Sequence, residues 1–257
     1  MDFYSTYIIH LADNALILGH RNSEWTGHGP ILEQDIALSN IALDLIGQAR
    51  NFYQLAATYI NESAPRQTVT EDDLAYLRNA DEFRNLIMVE QPNGDWAKTI
   101  LRQFYFSTYQ LLQFEDLINS TDKDIKAISE KSIKETRYHV RWSGEWVLRL
   151  GDGTDESHLR MLNAMNLLNP FIPEFFMNTD FEKSASASGV FIHSADFKSN
   201  WLQRVNNVLV AATLPKIDLE KMTSKLSAGK NGKHTEHLGQ LLSEMQLLQR
   251  TYPDCNW

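Results

Sequence analysis

Two stretches of this chain, Ile31–Ala57 and Trp96–Leu150, are apolar around most of a helical circumference yet carry ionisable groups among their apolar residues. Between Ile31 and Ile46 the positions Ile31, Leu32, Ile36, Leu38, Ile41, Leu43, Leu45 and Ile46 leave little of the helix polar. A helix that is apolar nearly all round belongs in the interior of a larger protein. In the second stretch Phe104, Tyr105, Phe106, Tyr109 and Phe114 supply bulk, and the short polar link Asn119–Asp122 divides it in two. So short a connection makes the two helices antiparallel neighbours. Strand signals are scarce, and the chain reads as all-α.

The remaining elements follow from the same rules. Phe3–Leu18 predicts a first helix, closed by the glycines and Pro30 of the following loop. Leu74–Glu90 predicts a further helix, stopped by Gln91-Pro92-Asn93-Gly94. Thr154 or Asp155 caps a helix running to Leu168. Residues 171–230 read as irregular and partly flexible, with Ala228–Lys233 as a flexible basic link. Leu238, Leu241, Leu242, Met245 and Leu248 then form one stripe of a terminal amphipathic helix over 234–251. No internal repeat or sharp boundary appears, so residues 1–257 are expected to form a single domain with flanking helices. A net charge of −9 without long basic runs argues against nucleic acid as a partner. The lack of a basic leader, of an 18-residue apolar run and of any cysteine besides Cys255 points to a soluble cytoplasmic protein with no membrane contact.

Large bundles with ionisable groups on core helices include the ferritin-like di-iron proteins. These take a carboxylate from each of two helices and a Glu-x-x-His pair from each of two others. The 257 residues contain no Glu-x-x-His. Instead Asn40, Asp44 and Gln48 recur every four residues, as do Glu135, His139 and Ser143. Either a metal or proton site lies between facing helices, or these residues form a hydrogen-bonded core network; a single histidine favours the network. Asp155-Glu-Ser-His158 has carboxylate–imidazole spacing, but it opens a helix, where acids meet the helix dipole. His234-Thr-Glu-His237 could hold labile zinc, or be solvated histidines at a frayed helix start. At Glu82-Phe-Arg-Asn85 a helix beginning near Asp81 would bring backbone N–H groups, Arg84 and Asn85 together as an anion grip, the alternative being an exposed cap. No nucleophile system stands out, and no catalytic or metal-ligating set is assigned.

The segments Leu11–Gly19, Ser23–His28, Asn40–Arg50, Val89–Gly94, Lys134–His139, Arg149–Thr154 and His234–Gly239, in this order, closely resemble the C-subunit family of phenylacetyl-CoA 1,2-epoxidase. The resemblance runs from Tyr7 to Arg250 and is faintest over 171–230. It implies a ferritin-like fold and a structural role beside a homologous catalytic subunit, which holds the di-iron centre. Separate reductase components supply electrons from NADPH. Where the catalytic homologue presents Glu-x-x-His this chain has Thr136-Arg-Tyr-His139, and on the earlier helix Ile41-Ala-Leu-Asp44. The expectation is therefore a non-catalytic subunit without a cofactor of its own, forming homo-oligomers when alone, with Glu82, Phe83, Arg84 and Asn85 at the edge of the CoA channel. Two alternatives remain: a self-sufficient di-iron oxygenase using Asp44, Glu90, Glu135 and His139, or an acyl-CoA-binding module.

Overall fold

The computed structural model describes residues 2–64, 68–190, 196–222, 228–252 and 255, and among these it is all-α. The long helices are α1 (Phe3–Ser23) and α2 (Leu32–Ser63), followed by the single turn α3 (Ile87–Glu90), then α4 (Trp96–Leu117) and α5 (Lys123–Gly151). They continue as α6 (Asp155–Leu168), α7 (Asp180–Ala187), α8 (Phe197–Ala211), α9 (Glu236–Met245) and α10 (Leu247–Thr251). Two compact units result, one from Met1–Pro92, Thr179–Ala185 and Ala228–Trp257, the other from Asn93–Asn178 and Ser186–Ser227. Each is built on one antiparallel helix pair, and two such pairs are what a ferritin-like bundle requires.

In the first unit α1 begins at Asp2, whose carboxylate accepts from the Ser5 backbone N–H at 2.7 Å. Tyr4 meets Tyr59, Asp13 meets Tyr53, and Gly19 lies beside Ala42, Leu45 and Ile46, so α1 and α2 run in opposite directions. At Gly19 a methyl group would come within 3.0–3.3 Å of that neighbouring helix, so the absence of a side chain sets the spacing. Sixteen of the 21 residues of α1 are buried, including His10, Asp13, Asn14, Arg21 and Asn22. So polar an interior helix needs partners supplied by the rest of the unit.

The second unit pairs α4 with α5. The Trp96 ring stands edge-on to Trp142 and Trp146, with centroids 6.0 and 5.8 Å away, and Gly144 lies against Phe104. Trp201 on α8 is fully enclosed beside Tyr105, Phe175 and Phe176, and its indole N–H donates to the Tyr105 carbonyl at 3.1 Å. The aromatic residues of α4 are thus core material.

Three sequence expectations meet a different structure. Leu74–Glu90 is not one helix but a π-helical turn (Asp73–Leu77), a 3-10 turn (Ala80–Glu82) and α3. The backbone N–H groups of Arg84 and Leu86 donate to Asp13 Oδ2 at 2.6 Å and to Asn14 Oδ1 at 2.8 Å, so α1 side chains take donors that a helix would use. Residues 171–230, expected to be irregular, hold a 3-10 segment (Asn169–Phe176), α7 and α8. The flexibility expected there falls partly on 191–195 and 223–227, outside the described residues. Ala228–Lys233 is a 3-10 turn in which Lys230 is buried, not a free link. The terminal amphipathic helix is present as α9 and α10, divided at Gln246.

Candidate functional site

The chemistry of the first unit is concentrated on the buried side of α1, in three linked clusters. The Asp13 carboxylate accepts from the Tyr53 hydroxyl at 2.5 Å and pairs with the Arg78 guanidinium, which also lies 4.1 Å from the Phe83 ring centre. Burial and the neighbouring Asp13 charge raise the Tyr53 pKa well above its ordinary value. Burial opposes the charge on Arg78, but Asp13 and Tyr53 outweigh it and hold the guanidinium more strongly protonated than usual. Buried ions of this kind require full partnering, because each loses hydration worth several kcal/mol.

The second cluster joins Lys230 Nζ to Glu182 Oε1 at 2.7 Å, with both side chains almost completely enclosed. Desolvation would raise the Glu182 pKa, but Lys230 and His10 lower it further than burial raises it. His10, fully buried, donates from Nδ1 to the Arg84 carbonyl at 2.6 Å. Burial first, and then the Lys230 charge, lowers its pKa to about 4, so it is neutral at pH 7.

The third cluster centres on Glu90. Its Oε1 accepts from both the backbone N–H and the hydroxyl of Thr235 at 2.7 Å, and its Oε2 accepts from Asn85 Nδ2 at 2.9 Å and His234 Nδ1 at 2.7 Å. The other His234 nitrogen donates to the Phe83 carbonyl at 3.0 Å. Both ring nitrogens thus face oxygen acceptors, an arrangement suited to the imidazolium. Burial works against that charge, and the Glu90 hydrogen bond and charge outweigh it, so the pKa is raised. Arg21 completes the seam by donating to the carbonyls of Glu90 and His237 at 2.9–3.0 Å. Together these clusters fasten the 78–91 segment and the C-terminal segment to α1. Neither Glu90 oxygen is left to bind a substrate or activate water.

The residues singled out in sequence are placed as follows. Asn40 is exposed, Asp44 and Glu135 are half-buried, and Gln48 and His139 are buried. The expected buried network of Asn40, Asp44, Gln48, Glu135 and His139 is therefore corrected at Asn40. A step of four residues advances about 40° around a helix, so a line drawn at that spacing walks from the outer face into the core. At Glu82–Asn85 the Glu82 carboxylate accepts from its own N-cap, the Asn79 backbone N–H, at 2.7 Å. Phe83 and Asn85 are fully buried, and Arg84 Nη1 donates to the carbonyls of Asp81 and Phe83 at 2.7 Å. The expected anion grip is thereby reduced to one half-buried cation already engaged with backbone. Asp155–His158 caps α6, with Thr154 and Ser157 in a capping box and His158 bonded to the Gly151 carbonyl at 2.7 Å. His234 is neither solvated nor a frayed cap; its side chain is only 3% exposed.

Set beside known proteins, residues 3–257 match the family described as phenylacetic acid catabolic protein. The chain belongs to this family. It is 42% identical, over 257 residues and the whole of both chains, to the C subunit of 1,2-phenylacetyl-CoA epoxidase from Escherichia coli strain K12.

The resemblance puts the di-iron centre in the homologous catalytic subunit, and the residues of this chain at the position compared with its α5 ligands do not fit one. Where the resemblance would put Glu-x-x-His on α5 the residues are Thr136 and His139, both buried. The Thr136 hydroxyl donates to the Ser132 carbonyl at 3.0 Å, as Ser129 and Ser143 donate to the carbonyls four residues before them. Three buried hydroxyls of α5 are thus spent on their own helix, Thr136 among them. Among the described residues no group of three or more His, Cys, Asp or Glu side chains could hold a metal ion. Sequence reading missed the α1 clusters, since Asp13, Arg78, Glu182 and Lys230 are far apart in the chain and no spacing connects them. The one available signal was Asp13-Asn14 inside an otherwise apolar helix.

Proposed function

We propose that this chain is the non-catalytic structural subunit of a phenylacetyl-CoA 1,2-epoxidase, holding the homologous catalytic subunit in its active shape. In that reaction one oxygen atom of O2 enters the aromatic ring of phenylacetyl-CoA as the 1,2-epoxide. The other leaves as water, with electrons delivered by separate reductase components. The di-iron centre belongs to the catalytic subunit, whereas this chain carries no cofactor.

The observation that carries the reading is Thr136, which stands where the resemblance would put a metal-binding carboxylate and whose hydroxyl is spent on its own helix. Likeness along the whole chain to the C subunit of an epoxidase supports it. The outer face of α2 adds to it, for Leu32, Ile36 and Leu43 are 71, 52 and 67% exposed and suit an obligate interface with the catalytic subunit. The atypical di-iron reading would need Glu90, whose two oxygens already accept four hydrogen bonds. The assembly is assigned to the cytoplasm as part of the same proposal. No helix among the described residues is long and apolar enough to cross a membrane.

Co-expression with the catalytic subunit tests this reading. A stable complex is expected, and Leu32→Glu with Leu43→Glu should abolish it while leaving the helical circular dichroism of this chain intact. Retention of the catalytic subunit by that double variant would refute α2 as the interface. Failure of the wild-type chain to bind the catalytic subunit would refute the function.

A further inference from the structure

Helix α5 turns a strongly cationic surface outward from an acidic chain. Lys131, Lys134, Arg137 and Arg141 are all exposed and lie, with Tyr138, within about 120° of the helix circumference. None of the four has an ion-pair partner among the described residues, and the pair Lys126–Glu130 at 4.0 Å is outside the set. The Arg141 guanidinium carbon lies 5.7 Å from the centre of the Tyr138 ring, and Tyr138 is itself 37% exposed. Stacking in this way pre-positions the arginine, and exposed Arg and Tyr together are the residue types on which interface energy concentrates.

The patch is bounded. Glu130 and Glu145 close it at either end, leaving about 15 Å of uninterrupted positive helix surface. A polyphosphate backbone or an anionic bilayer would run past both glutamates and would meet the field of a chain whose net charge is −9. A discrete acidic patch on a protein fits between them. We propose that Lys131, Lys134, Arg137, Tyr138 and Arg141 form a second docking surface, for an acidic face of another protein component of the epoxidase assembly. The inference rests on the proposed function in that its partner is a component of that assembly, but it uses a surface separate from the apolar face of α2.

The test uses the full-length chain with the co-expressed components of the assembly. Carbodiimide, which joins amines to carboxylates in direct contact, is expected to link Lys131 or Lys134 to Asp or Glu residues of one component. Lys134→Glu with Arg137→Glu should remove that cross-link and weaken retention of the same component at least tenfold. Binding of the catalytic subunit through α2 and the melting temperature of this chain should stay unchanged. Raising salt from 50 to 500 mM should weaken the wild-type contact and have little effect on the variant. Retention of every component by the double variant, with no cross-link from α5 in the wild type, would overturn this inference and leave the proposed function standing. Tighter binding of polyuridylate or of phosphatidylserine vesicles than of any component, abolished by the same variant, would also overturn it.

Discussion

The imidazole of His234 and the carboxylate of Glu90 meet at 2.7 Å inside the first unit, and the same carboxylate accepts from Thr235 and Asn85. Through these contacts one side chain ties the C-terminal segment to the 78–91 segment. Glu90→Ala should therefore leave His234 Nδ1 and three further donors without their shared acceptor, a loss of about 3 kcal/mol or more. The expected outcome is a lower melting temperature together with faster amide exchange over α9 and α10. Unchanged exchange there would mean that the segment is held by other contacts.

Stability should fall on both sides of neutrality. The His234 pKa is raised in the fold, so its contribution is complete below the unfolded value of 6.5 and is lost as pH rises through the folded value. His10 and His20 are lowered to about 4, in both cases chiefly by burial. Their neutral forms favour the fold above pH 6.5, and that contribution is lost as pH falls from 6.5 towards 4. Glu182, lowered by Lys230 against its burial, steepens the acid limb below 4.5. Melting curves across pH 4–9 are expected to show both limbs, with the alkaline one missing in His234→Gln.

Asp13→Ala takes the carboxylate from the buried Arg78 guanidinium, leaving it only the carbonyls of Leu74 and Glu82 and the Tyr53 hydroxyl, and should cost about 3–5 kcal/mol. Asn40→Ala, on the exposed face of α2, should stay within about 0.5 kcal/mol of the parent chain. Urea denaturation of the two variants measures the contrast. Similar losses at the two positions would contradict the assignment of the buried network to α1.

Arg84 separates two roles for the 82–85 segment. Its Nη1 donates to the carbonyls of Asp81 and Phe83, so Arg84→Ala is expected to lower stability by about 1 kcal/mol and leave the KM for phenylacetyl-CoA unchanged. A raised KM with unchanged kcat and melting temperature would instead place this residue on the CoA path.

The long helices were legible in the sequence because α1, α2, α4 and α5 obey rules of period and capping that act over a few residues. The apolar breadth of α4 marked it as buried, and 18 of its 22 residues are. On α2 the same breadth misled, since Leu32, Ile36 and Leu43 are exposed in this chain. Apolar period alone cannot tell a core from an interface. The break-up of Leu74–Glu90 was not legible, because it follows from Asp13 and Asn14 capturing backbone donors some 70 residues away in sequence. Lys230 looked like part of a loop, and only its meeting with Glu182 brings it into the core. Thr136 is the opposite case: a threonine where the resemblance would put a carboxylate was readable, and the structure supplies its hydrogen bond.

The most direct test of the central claim is to measure iron and epoxidation together, in the isolated catalytic subunit, in this chain alone, and in the purified pair supplied with the reductase components. The iron is expected to follow the catalytic subunit, with phenylacetyl-CoA turnover requiring both chains. Near-stoichiometric iron in this chain alone, or full turnover by the catalytic subunit without it, would contradict the account.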